Sequence, residues 1–333
     1  MTHALMLCDS DEDIARAAHT LARGELLGLP TETVYGLAAD ALQAEAVAAV
    51  FKAKGRPANH PLIVHLASVS HVGEFAQNLP ACAQALMEAF WPGPLTLILQ
   101  RRADVAEAAA GGHPTIALRC PSHPLAQKVL QHAWGLGVKG VAAPSANVFG
   151  KVSPTTAQHV REAFPELAVL DGGACQVGIE STIVDISQGT PVLLRPGMLP
   201  VAQLSQVAGQ PVQRAQPEPS ASTPAAPGTL ASHYAPRARV RLYTAPQIEA
   251  FAATCPGRLA AWSRTPLSLP SSVLWRAMPA QPADCAHDLF AQLRSLDALG
   301  VDHIWVETPP DTEAWDGVRD RLQRASNDST TGE

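Results

Sequence analysis

The sequence predicts an α/β protein that is divided into two unequal domains. The chain has 333 residues, about twice the length of a typical single domain, and 47% of them are hydrophobic, which allows a sizeable core. Short apolar runs alternate with helical patterns along most of the chain, and this alternation is typical of α/β folds. A proline-rich segment interrupts the alternation, so we place the domain boundary there.

The N-terminal part carries one clear helix start and several candidate strands. Ser10 is placed as an N-cap with Asp13 three residues on, and an apolar helix face that begins with Ile14 follows. Helices fit between several of the strands. The strand candidates are the apolar runs at 26–30, 61–66, 95–100, 115–120, 141–143, 181–186 and 192–194.

The proline-rich segment predicts a linker. Residues 211–229 contain five prolines, and no large apolar residue lies between Val212 and Leu230, so the segment cannot bury a core and favours extended conformations. We therefore divide the chain into a first domain over 1–208, a linker over 209–236 and a smaller α/β domain over 237–333. In that last part, strands are predicted at 240–243, 259–262, 273–275 and 303–306, and helices at 246–253, 285–299 and 312–325.

The charge balance excludes some broad functions. Lys and Arg total 24 against 30 Asp and Glu, and the net charge of −6 argues against wide contact with nucleic acid or an anionic membrane. No apolar stretch approaches the ~18 residues of a membrane span, and the N-terminal residues run into acids where a signal peptide would begin with basic residues. We expect a cytoplasmic protein that makes no membrane contact.

Two apparent motifs do not carry their usual meaning. Gly135, Gly137 and Gly140 form a literal GxGxxG, but a helical stretch precedes them and an apolar run follows, the reverse of the order that binds a dinucleotide. They predict a helix-to-strand turn instead. The six cysteines stand too far apart for a CxxC motif, so we predict no structural metal site.

Polar residues cluster at the ends of apolar runs, where α/β proteins usually bind ligands. Thr31, Glu32, Thr33 and Tyr35 follow the run at 26–29, and Gly36 is expected to permit a tight turn. Taken alone, this segment fits an ordinary strand-to-helix loop equally well.

A basic cluster lies just ahead of the run at 61–66. Lys52, Lys54 and Arg56 place three cations within five residues. Arg recognises phosphate through its planar fork, and Lys adds a compact positive charge. A solvated helix C-terminus is the alternative, and it fits Lys52 better than Arg56.

Small polar residues follow the run at 141–143. Ser145, Asn147, Ser153 and Thr155 supply hydroxyl and amide groups, and small side chains let the backbone approach a ligand. Thr155 is equally consistent with a plain helix N-cap.

Two further arginines stand beside apolar runs. Arg119 lies four residues after Thr115, on the same face of a strand, and Arg195 follows the run at 192–194. With Lys54 and Arg56 they give four cations beside strands in a protein of negative net charge. This pattern predicts an anion pocket for a nucleoside triphosphate or a carboxylate substrate, and scattered solvated residues fit it less well.

Several strings occur in the order found in one enzyme family. They are PTETVYGL, KGRP with PLIVH, FWPGPLTLIL, ALR, APSAN with SPT, GIESTIVD and LRPG, over residues 30–197. The chain resembles the YrdC-type L-threonylcarbamoyladenylate synthases in their long two-domain form, and PGTLASHYAP and AHDLFAQLRSLDALGVDHIWVE resemble the extra domain. The resemblance implies an N-terminal YrdC-like twisted mixed sheet with flanking helices and a smaller C-terminal Rossmann-like α/β domain.

The resemblance also implies an activity. The enzyme would condense L-threonine, bicarbonate and ATP into threonylcarbamoyl-AMP and pyrophosphate, and the product would feed a tRNA threonylcarbamoyltransferase complex, with at most a weak direct contact to tRNA. Mg²⁺ would enter with ATP, without a dedicated protein site. The alternatives are an RNA-binding module and a carbamoyltransferase-like enzyme of the same fold, which would carry the CxxC pairs that this chain lacks.

Individual roles follow from the same resemblance. Lys54, Arg56, Ser145 and Asn147 would form the catalytic set, and the linker would close over the pocket as a lid that carries Tyr234. The chain departs from the family at His60, where Asn is common, and at residues 229–232. Threonine would be bound by Thr33, His65, Ala143, Ser181 and, through its carboxylate, Arg119. ATP would be held by Arg56, His60, Thr115, Ser145, Ser153, Arg195 and Tyr234.

Overall fold

A computed structural model describes residues 6–215, 226 and 233–327. These residues build two sheets, one mixed and eleven-stranded, the other parallel and four-stranded. The predicted α/β fold with a large mixed sheet and a second, smaller sheet is confirmed.

The larger sheet takes up most of the chain before the proline-rich segment. Its strands are β1 (Met6–Leu7), β2 (Leu27–Leu29), β3 (Gly36–Asp40), β4 (Ile63–His65), β5 (Leu95–Gln100), β6 (Thr115–Arg119), β7 (Val141–Ala142), β8 (Ala168–Leu170), β9 (Thr182–Asp185), β10 (Val192–Arg195) and β11 (Gln213–Arg214). Their spatial order is β1-β8-β2-β3-β7-β4-β6-β5-β9-β10-β11. All the strand candidates of this part coincide with strands, whereas β1, β3, β8 and β11 were not predicted.

Helices accompany this sheet in chain order. They are α1 (Asp11–Ala22), α2 (Ala44–Lys54), α3 (Ala81–Phe90), α4 (Pro124–Gly135), α5 (Ala157–Ala163) and α6 (Val201–Ala208), with a 3₁₀ helix at Val69–Glu74. The start of α1 is as predicted, because Ser10 Oγ accepts a hydrogen bond from the Asp13 amide at 3.1 Å. Gly135 ends α4 and Gly140 precedes β7, so the helix-to-strand turn is confirmed.

Two local predictions were wrong. Gly36 does not form a tight turn but begins β3, and its missing side chain matters because a Cβ there would lie 2.9 Å from Cβ of Ala143. The N-cap of α5 is Thr156, whose side chain accepts from the His159 amide, while Thr155 is buried one residue earlier. A distant neighbour, Ala143, decides the first case, whereas the second is a shift of the cap by one residue.

The pairing of the central strands brings distant residues to one edge of the sheet. β4 and β6 run parallel with His65 opposite Arg119, and β5 and β9 run parallel with Leu95 opposite Thr182. β5 is antiparallel to β6, and β10 is antiparallel to β9, with Arg195 opposite Ile183. The ends of β4, β6 and β10 and the start of β9 therefore lie along the same edge.

The smaller sheet follows the proline-rich segment. It contains β12 (Arg239–Tyr243), β13 (Leu259–Ser263), β14 (Leu274–Ala277) and β15 (His303–Glu307) in the order β12-β15-β13-β14. Its helices are α7 (Ala245–Ala252), α8 (Pro282–Ala298) and α9 (Asp316–Ser326), and a 3₁₀ turn at Glu313–Trp315 precedes α9. All four strands and the three helices were predicted within a few residues.

The two parts of the chain share a hydrophobic core. Val34, Val152 and Ile179 from the first part are buried in one cluster with Phe290 and Val318 from the second. Most of the predicted linker lies outside the described residues, but Gln213 and Arg214 within it pair with β10, and Ala226 packs on an apolar cluster of the large sheet. Among the described residues, no helix is long and apolar enough to cross a membrane.

Candidate active site

A cleft opens at the sheet edge where the ends of β4, β6 and β10 meet. Residues from both parts of the chain line it. The lining residues are Thr31, Thr33, Val34, Gly36, Arg56, Ile63, His65, Arg119, Ala143, Pro144, Ser145, Glu180, Ser181, Arg195, His233 and Tyr234.

The structure brings together most of the residues that the sequence singled out. The residues of that set that line the cleft are Thr33, Arg56, His65, Arg119, Ala143, Ser145, Ser181, Arg195 and Tyr234. Lys54, His60, Thr115, Asn147 and Ser153 do not line it. All five residues predicted to bind threonine thus line one cleft. Of the residues predicted to bind ATP or to act in catalysis, some line the cleft and others do not.

Arg119 and Glu32 form an ion pair at the base of the cleft. The Arg119 Nη2 and Glu32 Oε1 atoms are 2.7 Å apart, close enough for an ion pair although not aligned as a hydrogen bond. Arg119 Nη1 donates to Thr33 Oγ1 at 2.8 Å, and the Ser122 amide donates to the second carboxylate oxygen of Glu32. Burial alone would raise the pKa of Glu32, but the charge of Arg119 holds that pKa below its ordinary value.

Arg195 and Ser181 form hydrogen bonds with each other where β10 ends and β9 begins. Arg195 donates from Nε and Nη2 to the carbonyl of Ser181, and Nη2 also donates to Ser181 Oγ at 3.1 Å. The Ser181 hydroxyl lies 2.7 Å from the Thr96 hydroxyl. These bonds fix the start of β9 at the cleft wall.

A second arginine lies near Arg195. Arg56 follows α2 after Gly55, which ends the helix with a left-handed φ of 63°, and its Nη2 donates to the carbonyl of Pro61 at 3.0 Å. Burial and the charge of Arg195 lower the pKa of Arg56 to about 10, and burial likewise lowers the pKa of Arg195 to about 10. Both side chains remain cationic at neutral pH, so this end of the cleft attracts anions.

Lys54 supports the cleft from behind. Its side chain is 2% exposed, and Nζ donates to the carbonyls of Ser145 and Asn147 at 2.5 and 2.6 Å. The Asn147 amide nitrogen donates to the carbonyls of Val148 and Lys151. Burial, followed by the charge of Arg56, lowers the pKa of Lys54 to about 7. Lys54 and Asn147 therefore fix the loop that presents Ser145.

The remaining predicted residues lie farther from the cleft surface. Thr115 is at the opposite end of β6 from Arg119. The His60 ring is 6.0 Å from the ring of Phe149, and burial and the charge of Arg56 lower the pKa of His60. Ser153 is buried, and its hydroxyl donates to Glu180 Oε1 at 2.5 Å.

His233 and Tyr234 close one side of the cleft. Their rings are 4.2 Å apart, and the Tyr234 ring lies 5.2 Å from the ring of Phe290 in α8. Tyr234 adopts a φ of 63°, a left-handed conformation that is uncommon for a residue with a side chain. Burial lowers the pKa of His233 to about 4 and raises the pKa of Tyr234.

Comparisons with known proteins agree with this architecture. A family profile described as "Telomere recombination", which covers Sua5, YciO and YrdC, matches residues 19–197, and one described as "Threonylcarbamoyl-AMP synthase, C-terminal domain" matches residues 199–327. The threonylcarbamoyl-AMP synthase of Pyrococcus abyssi is 38% identical over 321 residues, which is 93% of each chain. This chain belongs to the threonylcarbamoyl-AMP synthase family.

Further relatives extend over most of the chain. The threonylcarbamoyl-AMP synthase of Bacillus subtilis is 36% identical over 331 residues, 96% of this chain and 94% of that one. The crystal structure of P. abyssi Sua5 complexed with L-threonine matches with a TM-score of 0.89 and 35% identity, covering 98% of both chains. E. coli YciO, at 19% identity and a TM-score of 0.52, shares the fold of 61% of this chain.

Threonylcarbamoyl-AMP synthases are transferases that make an adenylate, so this member of the family is an enzyme. Its cleft also contains Glu180 and His233, and Glu32 pairs with Arg119 without itself lining the cleft. None of the three was predicted as a binding or catalytic residue, although each stands in a string typical of the family: PTETVYGL, GIESTIVD or PGTLASHYAP. Those strings were the available signal, because a buried carboxylate needs a partner.

Proposed function

We propose that this enzyme condenses L-threonine, bicarbonate and ATP into threonylcarbamoyl-AMP and pyrophosphate. The charge of the cleft supports this proposal in addition to family membership. Three arginines, Arg56, Arg119 and Arg195, line a single cleft in a protein of net charge −6. The substrates are all anionic or carry a carboxylate, so a concentration of cations suits them.

We assign the threonine end of the cleft to the Arg119–Glu32 pair. Arg119 offers a fork of donors to a carboxylate, and Glu32, which pairs with Arg119 without lining the cleft, holds that fork in place. Thr33 and Ser181 supply hydroxyl groups on either side, and Ala143 leaves room for a small side chain. His65 lies opposite Arg119 in the β4–β6 pairing, and burial and Arg119 lower its pKa to about 3, so it stays neutral.

We assign the other end of the cleft to ATP. Arg56 and Arg195 would face the phosphates, while Ser145 and Tyr234 would border the nucleoside. Ser153 lies behind Glu180 and would be reached only as the cleft adjusts around a ligand. For His60 and Thr115, which do not line the cleft, an ATP contact remains a prediction.

The chemistry requires positioning and charge neutralisation more than a nucleophilic side chain. The amine of threonine and bicarbonate give a carbamate and water. A carbamate oxygen then attacks the α-phosphorus, the bond to the bridging oxygen breaks, and pyrophosphate leaves. Both reactants are negative, so the cations of Arg56 and Arg195 lower the barrier by offsetting their repulsion. We propose that Lys54 and Asn147 contribute to catalysis by fixing the Ser145 loop.

Mg²⁺ would enter as the complex with ATP. Glu180 in the cleft and Glu32 beside it are each paired with an arginine, and the described residues contain no cluster of three or more metal-ligating side chains. The donor set therefore suits an ion held by phosphate oxygens and water. When bound, the ion would neutralise phosphate charge.

We further propose that the product is passed in the cytoplasm to a complex that modifies tRNA. We also propose that residues 209–236 connect a catalytic domain over 1–208 to a second domain over 237–333. This linker would cover the cleft as a lid. His233 and Tyr234, near its C-terminal end, line the cleft.

The experiment that tests the function is pyrophosphate release by the purified full-length enzyme. With Mg²⁺ and ATP present, release should require both L-threonine and bicarbonate, and mass spectrometry should detect threonylcarbamoyl-AMP. Equal release without threonine would overturn the proposal. D-threonine is the matched control, because it carries the same charges in a different arrangement.

A further inference from the structure

Arg321, in the C-terminal part of the chain, contacts residues that build the wall of the cleft. Arg321 of α9 is completely buried, and its Nε donates to Glu180 Oε2 at 2.8 Å while its Nη2 donates to the carbonyl of Glu180 at 3.1 Å. Its Nη1 donates to the carbonyl of Pro196 at 2.7 Å. One side chain therefore ties down two segments, 178–181 and 195–197, which carry Glu180, Ser181 and Arg195.

The backbone of α9 is built for this close approach. A Cβ on Gly317 would lie 2.6 Å from the carbonyl oxygen of Gly197 and 2.8 Å from Cδ1 of Ile179. Only glycine lets the helix rest directly on both segments. Arg321, one turn further along α9, then reaches the buried carboxylate.

The second oxygen of Glu180 engages Ser153. The Ser153 hydroxyl donates to Glu180 Oε1 at 2.5 Å, since an ionised carboxylate can only accept. Ser153 is completely buried and does not line the cleft, so its hydroxyl holds the carboxylate of Glu180, which does line it.

We propose that Arg321 is a positioning residue for the nucleotide end of the cleft, acting through Glu180 and Arg195, which line it. The identity of the nucleotide rests on the proposed function; the chain of contacts does not. Arg321 fixes the Glu180 carboxylate and the backbone at Pro196, next to Arg195, which would face the phosphates. The C-terminal part of the chain thus helps to build the active site.

Removing Arg321 should change how the cleft responds to pH. Burial alone would raise the pKa of Glu180, and the charges of Arg321 and Arg195 instead hold that pKa at about 2. Without Arg321, Glu180 takes up a proton at a pH where the wild type is ionised, and it then donates to Ser153 and reverses that hydrogen bond. The charged and titratable groups that face Glu180 are Arg195, Arg321, Lys54, His233 and Tyr234, and Arg321 also pairs with Asp320 of its own helix at 2.8 Å.

The test compares Arg321→Met, Arg321→Lys and the double variant Glu180→Gln/Arg321→Met in the full-length enzyme. Arg321→Met should raise KM for ATP by about tenfold, the effect of one lost charge-assisted contact. On acidification its activity should also fall at a higher pH than that of the wild type, because Glu180 is then protonated at a higher pH. The double variant has no carboxylate at this site and should lose that added acid limb.

Arg319→Met is the matched control. Arg319 is on the same helix and pairs with Asp311 and Asp316 in the C-terminal part. Its variant should keep the KM for ATP and the pH profile of the wild type. A folded Arg321→Met with those same wild-type values would overturn the proposal.

Arg321→Lys is the variant to measure if Arg321→Met does not fold. The lysine ammonium keeps the charge but cannot reach Glu180 and Pro196 together, so KM for ATP should still rise. An unchanged KM for ATP in Arg321→Lys would then overturn the proposal.

Calorimetric binding of a non-hydrolysable ATP analogue tests the role of Arg321 separately from the proposed reaction. If wild-type pyrophosphate release did not need threonine, the proposed function would fail, while weaker analogue binding by the Arg321 variant would still support this inference.

Discussion

Arg119 and Glu32 lie 2.7 Å apart at the base of the cleft, and each side chain is only 4% exposed. The arginine expected to bind a substrate carboxylate is therefore already paired with a carboxylate of the protein. A buried pair of this kind is held in a fixed geometry. Of the two residues only Arg119 lines the cleft, so Glu32 fixes the position of the guanidinium that would meet the carboxylate of threonine.

Arg119→Lys should weaken the use of threonine specifically. Lysine keeps the positive charge but loses the planar fork that also bonds Thr33, so KM for threonine should rise by about tenfold or more while KM for ATP changes little. Pyrophosphate release at varied threonine measures this. Arg16→Lys, at a half-exposed position on α1, should leave both constants unchanged. An unchanged KM for threonine in Arg119→Lys would remove Arg119 from the threonine site.

Arg56→Ala should separate activity from stability. Burial and the neighbouring charge of Arg195 both disfavour the Arg56 cation, so its removal should leave the free energy of unfolding unchanged or raise it. kcat/KM should fall by about 100-fold or more, because a cation at developing phosphate charge is lost. Urea unfolding and pyrophosphate release measure the two quantities. Lys52→Ala, at an exposed position on the preceding helix α2, is the control, and a wild-type rate in Arg56→Ala would refute the role.

The local features of the fold were predictable because their causes are local. The hydroxyl of Ser10 caps α1 within three residues, and the apolar run at 95–100 is the strand β5. β3 was not predicted, because its sequence GLAAD has no alternation of apolar and polar residues and no β-branched residues. It is a strand because β2 and β7 pair with it on either side.

The cleft was predictable only in part. Motif strings located the arginines, but no local pattern reveals that Arg119 pairs with Glu32 or that Lys54 bonds the carbonyls of the Ser145 loop. The contact between Arg321 and Glu180 joins residues 141 positions apart. The first two contacts depend on how distant strands and loops of the large sheet come together, and the third on how the two parts of the chain dock; sequence periodicity encodes neither.

Acid should destabilise the fold through buried histidines. Burial lowers the pKa of His65 to about 3 and of His233 to about 4, from an ordinary value of 6.5. Between these values the unfolded chain binds protons that the folded protein does not, so the free energy of unfolding falls as pH drops below about 6.5, by up to about 1.4 kcal/mol per pH unit for each histidine. The lowered pKa values of Glu32 and Glu180 act in the same direction at still lower pH.

Urea unfolding between about pH 4.5 and 7.5 measures this slope. His233→Asn should flatten it by up to about 1.4 kcal/mol per pH unit. His132→Asn, at an exposed position on α4, serves as the control and should keep the wild-type slope. A wild-type slope in His233→Asn would show that this histidine is protonated in the folded protein as well.

Gly178 should be required for docking of the two parts of the chain. It has a φ of +80°, and a Cβ there would collide with the backbone of Ala286 and His287 in α8. Gly189 has a similar φ of +84° in open space, with no heavy atom within 4 Å of such a Cβ. Alanine at either position pays the same left-handed strain of about 1–2 kcal/mol, so the difference between the two variants isolates the collision.

Gly178→Ala should therefore lower the free energy of unfolding by about 1–3 kcal/mol more than Gly189→Ala, the usual cost of overpacking a close contact. Because Gly178 is two residues before Glu180, the shift of α8 and the 178–181 segment should also raise KM for ATP, whereas Gly189→Ala should leave it unchanged. Urea unfolding and pyrophosphate release measure both effects. Equal destabilisation by the two alanines would mean that α8 moves aside without cost, and that the interface between the two parts is not rigidly packed at this point.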